Sequence, residues 1–203
     1  MRKEYPILFN EEMVKAILNN QKTMTRRIFS PKVLNSIEIG STIGECYPLG
    51  HPKAVNDDYI KSYCPFGQVG DHIWVRETFA KGLATKSGYA WRAGFDAEKE
   101  LEDGWWESVK WTPSIHMPRS ACRLVLEITE IRYERLQSIS EADAIAEGCD
   151  HSKSRSAIET GWYEKPVKAF KRLWANVYGQ ESLDADPWVW VIEFKIIKRN
   201  IFD

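Results

Sequence analysis

Arg123-Leu124-Val125-Leu126-Glu127-Ile128-Thr129-Glu130-Ile131 alternates apolar and polar side chains in the period of a β-strand. Leu124, Leu126, Ile128 and Glu130 fall on one face and Val125, Glu127, Thr129 and Ile131 on the other, so one side packs and the other is half solvated. Trp188-Val189-Trp190-Val191-Ile192-Glu193-Phe194-Lys195-Ile196 reads as a second strong strand. Three further strands are expected. One is the short run Ile7-Leu8-Phe9; one continues from the first helix through the β-branched Thr23, Thr25 and Ile28; the last follows the turn residues 64 to 71 as His72-Ile73-Trp74-Val75-Arg76-Glu77-Thr78.

Helices interleave with these strands. Asn10 is a good N-cap type, and Met13, Ala16, Ile17 and Leu18 give a helical apolar stripe, so the spacing predicts a helix over residues 11 to 20. Ser140, with Asp143 three residues on, starts a helix over 141 to 147 that Gly148 ends in the left-handed conformation. A third runs from Pro166 to Gly179 and buries Val167, Phe170, Leu173, Trp174 and Val177. No βαβ unit repeats. The pattern predicts one α+β domain over residues 1–203, a twisted barrel or sheet of mixed, mostly antiparallel strands with short helices. Residues 30 to 70 read as irregular. Residues 82 to 111, with Tyr89, Trp91, Phe95, Trp105, Trp106 and Trp111, read as an aromatic-rich hairpin or insertion on the core.

With 28 basic and 29 acidic residues in 203, the chain has no global footprint for nucleic acid, so any such binding must come from a local patch. The four cysteines, Cys46, Cys64, Cys122 and Cys149, form no CxxC pair, and the four histidines show no i, i+4 spacing, so neither a metal site nor a cofactor is expected. No segment approaches the roughly 20 apolar residues of a membrane helix. A cytoplasmic protein with reduced thiols and no membrane partner is expected.

The densest chemistry is Lys22-Thr23-Met24-Thr25-Arg26-Arg27, directly after the first helix. A threonine hydroxyl becomes a nucleophile when a base takes its proton, and a lysine can be that base. Residues three apart on an ideal strand point to opposite faces, so Lys22 must lie in the turn, or a bulge must re-aim it. The bland alternative is a solvated lysine and a strand threonine. Glu147 is the second oddity, since a carboxylate in the last helical turn sits at the negative end of the dipole and calls for a cation or a proton. Its alternative is an ordinary surface acid. The basic and aromatic residues also allow a nucleic-acid reading, in which Arg26, Arg27, Arg119 and Arg123 meet phosphate and a Trp stacks on a base.

These motifs together resemble the ASCH domain family, which has a PUA-like β-barrel fold. The likeness rests on residues 22 to 27, on Gly70-Asp71-His72-Ile73-Trp74-Val75-Arg76-Glu77, on Leu136-Gln137-Ser138-Ile139-Ser140-Glu141 through Glu147, and on the ending Trp188 to Phe194. With Pro113-Ser114-Ile115-His116-Met117-Pro118-Arg119 it is similar to a longer phage and prophage group. A small bacterial branch of the family hydrolyses N4-acetylcytidine with a Lys, a Thr and a Glu. The resemblance implies Lys22, Thr25 and Glu147 as the catalytic set, and Thr23, Arg26, Arg27, Trp74, Arg76, Glu77, His116 and Arg119 as substrate-binding residues. The added material at about 30–70 and 82–118 separates this chain from that branch. Three functions follow as expectations: an amidohydrolase acting on an acylated cytidine or related modified nucleoside; an RNA-binding, even ribonucleolytic, module; or a phage accessory protein without turnover.

Overall fold

A computed structural model describes residues 2–53, 58–81, 88–94 and 109–199. Strands β6 (Leu124–Arg135) and β7 (Trp188–Arg199) form a long antiparallel ladder at the centre. β3 (His72–Arg76) pairs antiparallel with β6 on one side, and β1 (Glu4–Leu8) adds parallel to β3. On the other side β2 (Met24–Ile28) pairs antiparallel with β7, giving the order β1-β3-β6-β7-β2. The sheet is mixed and mostly antiparallel, as expected.

The expected barrel is not closed by backbone bonds. β1 and β2 are the two edges, and no ladder joins them among the described residues. One side chain spans the gap instead: Arg27 of β2 donates to the Leu8 carbonyl at the end of β1 at 2.6 Å.

The alternation of residues 123 to 131 breaks at a position that no residue type marks. Ile128 pairs with Phe194 but Glu130 pairs with Glu193, so Thr129 is an extra residue on β6, a β-bulge. Beyond it the phase flips. Ile131, expected opposite Leu124, Leu126 and Ile128, joins them in the same core with Trp190, Ile192 and Phe194, and Glu130 leaves it.

That core lies on one face of the sheet and is covered by α1 (Glu11–Leu18) through Val14 and Ile17 and by α2 (Pro31–Thr42) through Val33 and Ile37. α2, followed by α3 (Asp58–Ser62), corrects the irregular reading of residues 30 to 70. Its start was written in the chain: Ser30 accepts from Val33 N–H at 3.3 Å and Pro31 takes the first helical position. Gly40 obscured the pattern, and it is there because a Cβ would come within 2.5 Å of the Tyr59 ring.

The opposite face carries α4 (Glu141–Ala146) and α6 (Pro166–Tyr178), whose Ala144, Phe170 and Trp174 pack on Met24, Val189 and Val191. Val177, expected in the stripe, is 46% exposed, because α6 turns that flank to solvent. Between α4 and α6 lies α5 (Arg155–Thr160), and α7 (Gln180–Asp184) leads into β7. The hairpin β4 (Phe79–Lys81) and β5 (Tyr89–Trp91) forms its own small sheet over a third cluster with Met117 and Val125. Phe95, Trp105 and Trp106 and most of the expected insertion lie outside the described residues.

Candidate active site

Two helix ends are pressed together to make the site. At the end of α1, Asn20 takes a left-handed φ of 56°, Gln21 N–H bonds the Ala16 carbonyl at 2.8 Å and Asn20 N–H bonds Ile17 at 2.9 Å. This is a Schellman closure. α4 ends the same way: Gly148 has φ 88°, Cys149 N–H bonds Ala144 at 3.0 Å and Gly148 N–H bonds Ile145 at 2.9 Å. A Cβ on Gly148 would lie 3.2 Å from Ala16 Cβ and 3.3 Å from Lys22 Cβ, so a side chain there would hold the two ends apart. Thr23 N–H, donating to the Ala146 carbonyl at 2.8 Å, locks the junction.

Lys22 thus sits in the turn ahead of β2 and turns inward, 1% exposed. Its Nζ donates to Glu147 Oε2 at 2.5 Å and to the Glu147 carbonyl at 3.0 Å. The cation missing from the last turn of α4 is therefore supplied from outside the helix, where it satisfies both the carboxylate and a terminal carbonyl. Glu147 is 5% exposed and also faces Arg26 Nη1 at 3.3 Å.

Arg26 has a fully buried side chain and meets three carboxylates: Glu147, Glu134 at 2.6 Å and Asp143 at 2.6 Å. Arg132 adds bonds of 2.9 Å to both Glu134 and Asp143. Lys22, Arg26 and Arg132 thus offset Glu134, Asp143 and Glu147 one for one. Burial pushes the Asp143 carboxyl up, but the hydrogen bond from Arg26 and the charge of Arg132 outweigh it and hold the group below the usual range. Across the β6–β7 ladder, burial and the facing Glu130 push Glu193 upward.

Thr25 is 2% exposed and lines a void of about 20 Å³ together with Glu147, Arg26, Arg27, Phe170 and Trp174. Among the described residues no hydrogen bond joins its hydroxyl to Lys22. A void of that volume holds about one water molecule. A base or an acetamide enters only if side chains of α1 or α6 move aside.

The other expected residues divide. Arg27 belongs to the site's wall: its guanidinium stacks on Phe9, 5.1 Å from the ring centroid, and donates to Tyr178 Oη at 3.1 Å. Thr23 contributes backbone only, with an exposed side chain. Trp74, Arg76, Glu77, His116 and Arg119 lie around β3, separated from β2 by β6 and β7. There Arg76 and Arg119 flank the Trp74 ring at 5.5 and 5.9 Å, Arg76 donates to the Ile115 carbonyl, and Arg119 is bidentate to Glu4 at 2.8 and 3.0 Å. His116 is exposed. Glu77 is 1% exposed and forms a buried bidentate pair with Arg123 at 2.8 and 2.9 Å; burial raises its carboxyl against those bonds. These five side chains form a second locus and not part of the Lys22 site. Sequence reasoning missed Glu134, Asp143 and Arg132. Asp143 had a signal, but it was absorbed by its role in the N-cap of α4.

Among solved structures the chain is similar to an ASCH domain from Lactobacillus crispatus JV V101, over 97% of this chain and 81% of that one, at 12% identity and a TM-score of 0.43. It is similar at the same TM-score of 0.43 to a protein from Enterococcus faecalis V583 assigned to the DUF984 family model, over 100% of this chain and 86% of that one, at 10% identity. No family model and no curated protein matches the sequence. The family that the motifs resemble is thus also that of one structural neighbour, and at this TM-score neither neighbour carries a residue's role to this chain. Among the described residues no helix is long and apolar enough to cross a membrane, and no group of His, Cys, Asp and Glu is arranged to hold a metal ion.

Proposed function

We propose that the chain is an amidohydrolase that removes an acyl group from N4-acetylcytidine or a related modified nucleoside. The observation that carries this reading is the buried Lys22–Glu147 pair beside a void lined by Thr25. In the proposed reaction Thr25 Oγ attacks the acetamide carbonyl carbon while its proton passes to the Lys22 amine. The proton then moves to N4 as the C–N bond breaks, leaving cytidine and an acetyl ester on Thr25. Water hydrolyses the ester to acetate and restores the hydroxyl. Glu147 orients and charge-balances Lys22, and Arg27, which lines the void, is assigned the oxyanion or the sugar from its place in the motif.

The charge arrangement favours this reading over RNA binding. Phosphate contacts require free guanidinium groups, and Arg26, Arg119 and Arg123 are each bonded to carboxylates. What remains for RNA is Arg27, which no carboxylate holds, and the Trp74 ring beside Arg76, with two strands between them.

Chromatography of purified protein incubated with N4-acetylcytidine tests the proposal. Wild type should release cytidine and acetate and Thr25→Val should release none above background. Absence of release by wild type, with salt-dependent retention of a single-stranded RNA that Trp74→Ala abolishes, would replace the enzyme with the binding module.

A further inference from the structure

Of the residues of α5 only Ala157 is buried. The helix is fixed by its ends: Ser154 accepts from Ala157 N–H at 3.2 Å, and Gly161 closes it with a left-handed φ of 70°. Among the described residues the two most exposed large apolar side chains are Ile158, at 76%, and Trp162, directly after Gly161, at 67%. Neither belongs to an apolar cluster, so nothing in the core asks for a large apolar side chain at either position.

Trp162 and Tyr163 line two open clefts of about 350 and 400 Å³. Each falls in the roughly 300–1,000 Å³ range of binding pockets. The first also holds Lys165 and Lys168, the second Arg172, and Glu164 lines both. Arg172 bonds Glu164 at 3.0 Å, so those two charges cancel. Lys165 and Lys168 are exposed and have no ion pair among the described residues; Lys165 Nζ rests over the Tyr163 ring, 5.4 Å from its centroid. The result is uncompensated positive charge beside two hollows that share an exposed indole.

That combination matches an acidic polypeptide with apolar side chains. A polynucleotide fits less well. Guanidinium groups clamp phosphates, and here Arg155 and Arg172 are held by Glu159 at 2.6 Å and Glu164 at 3.0 Å, two carboxylates that would themselves face the phosphate chain. A bilayer surface would meet the protruding indole and leave the clefts unfilled.

We infer that Trp162 and its two clefts form a docking surface for an acidic segment of a partner protein, whose apolar side chains enter the clefts while its carboxylates meet Lys165 and Lys168. The surface is independent of the amidohydrolase reading. Fluorescence anisotropy of the full chain with a labelled octapeptide, Asp-Asp-Leu-Asp-Asp-Phe-Asp-Asp, tests it. Wild type should bind this peptide, added salt should weaken the binding, and the same peptide with serine at both apolar positions should bind at least about tenfold more weakly. Trp162→Ala should cost about tenfold or more, and Trp162→Phe much less. Lys165→Ala/Lys168→Ala should cost several-fold and flatten the salt dependence. Because all three side chains are exposed, their loss should leave the melting temperature unchanged. No binding by wild type, equal binding of the serine peptide, or unchanged binding by Trp162→Ala would overturn the surface. Tighter binding of octathymidylate or of phosphatidylserine vesicles, lost in Trp162→Ala, would put a polynucleotide or a membrane there instead and equally overturn it.

Discussion

Lys22 Nζ reaches both ends of Glu147, the carboxylate at 2.5 Å and the main-chain carbonyl at 3.0 Å, so one amine fixes the side chain and the backbone of the same residue. Two hydrogen bonds to one residue set the direction of the lysine more firmly than either alone.

If that pair performs the proton transfer, Glu147→Gln should retain the geometry and lower kcat on N4-acetylcytidine by about 10²–10⁴-fold, the usual size of a general acid–base contribution. Lys22→Met should fall at least as far. Steady-state kinetics will show the loss in kcat with KM little changed.

Arg26→Lys should behave as a drastic change, since an ammonium cannot present a planar fork to Glu134, Asp143 and Glu147 together. Lys22 and Arg132 keep a bond to each of these carboxylates, so the cost is that of the charge-assisted hydrogen bonds an ammonium cannot make, about 1.5–3 kcal/mol. In a chain of this size each kcal/mol is worth roughly 2–4 °C, so thermal unfolding should shift down by about 3 °C or more.

The depressed Asp143 carboxyl gives acid sensitivity of a definite sign. It binds fewer protons folded than unfolded, so its stabilisation is complete above the unfolded value of about 3.9 and is lost as pH falls through the lower folded value. Melting temperatures of wild type and Asp143→Asn should differ most above about pH 5 and converge toward pH 2. A gap that widens with acid would contradict the ion-pair assignment.

At the second locus, Arg123→Met should destabilise by about 3 kcal/mol or more by stranding the buried Glu77 carboxylate. Glu77→Leu/Arg123→Met should recover much of that loss, because an apolar pair leaves no charge to solvate. Chemical denaturation of the single and double variants gives the coupling.

Element identity was legible where one residue type marks an end and nothing inside the element obscures the pattern, as Gly40 does in α2. Asn10 and Ser140 cap as their side chains dictate, accepting from Met13 and Asp143, and Pro166 and Gly179 bound α6. The Thr129 bulge was not legible, since nothing in Ile128-Thr129-Glu130 distinguishes an extra residue from an alternating one; only the partner strand fixes the register. Within the site, Lys22, Thr25 and Glu147 were separable by local oddity. The carboxylates around Arg26 were not, because Glu134 and Asp143 reach it from β6 and α4, more than a hundred residues on. The grouping of Trp74, Arg76 and Arg119 with Lys22 failed for the same reason. Two strands stand between them, and strand order is not written in any one strand.

The guanidinium that spans β2 and β1 also bears on the company the protein keeps. An open sheet leaves a row of unpaired backbone groups at each border, a template on which another molecule can add a strand. Arg27 occupies the last acceptor of β1 and lies over the neighbouring Phe9, so the place where a foreign strand would gain its first foothold is already taken. Arg27→Ala should therefore still fold and show its first defect as concentration-dependent aggregation, read by light scattering over a dilution series.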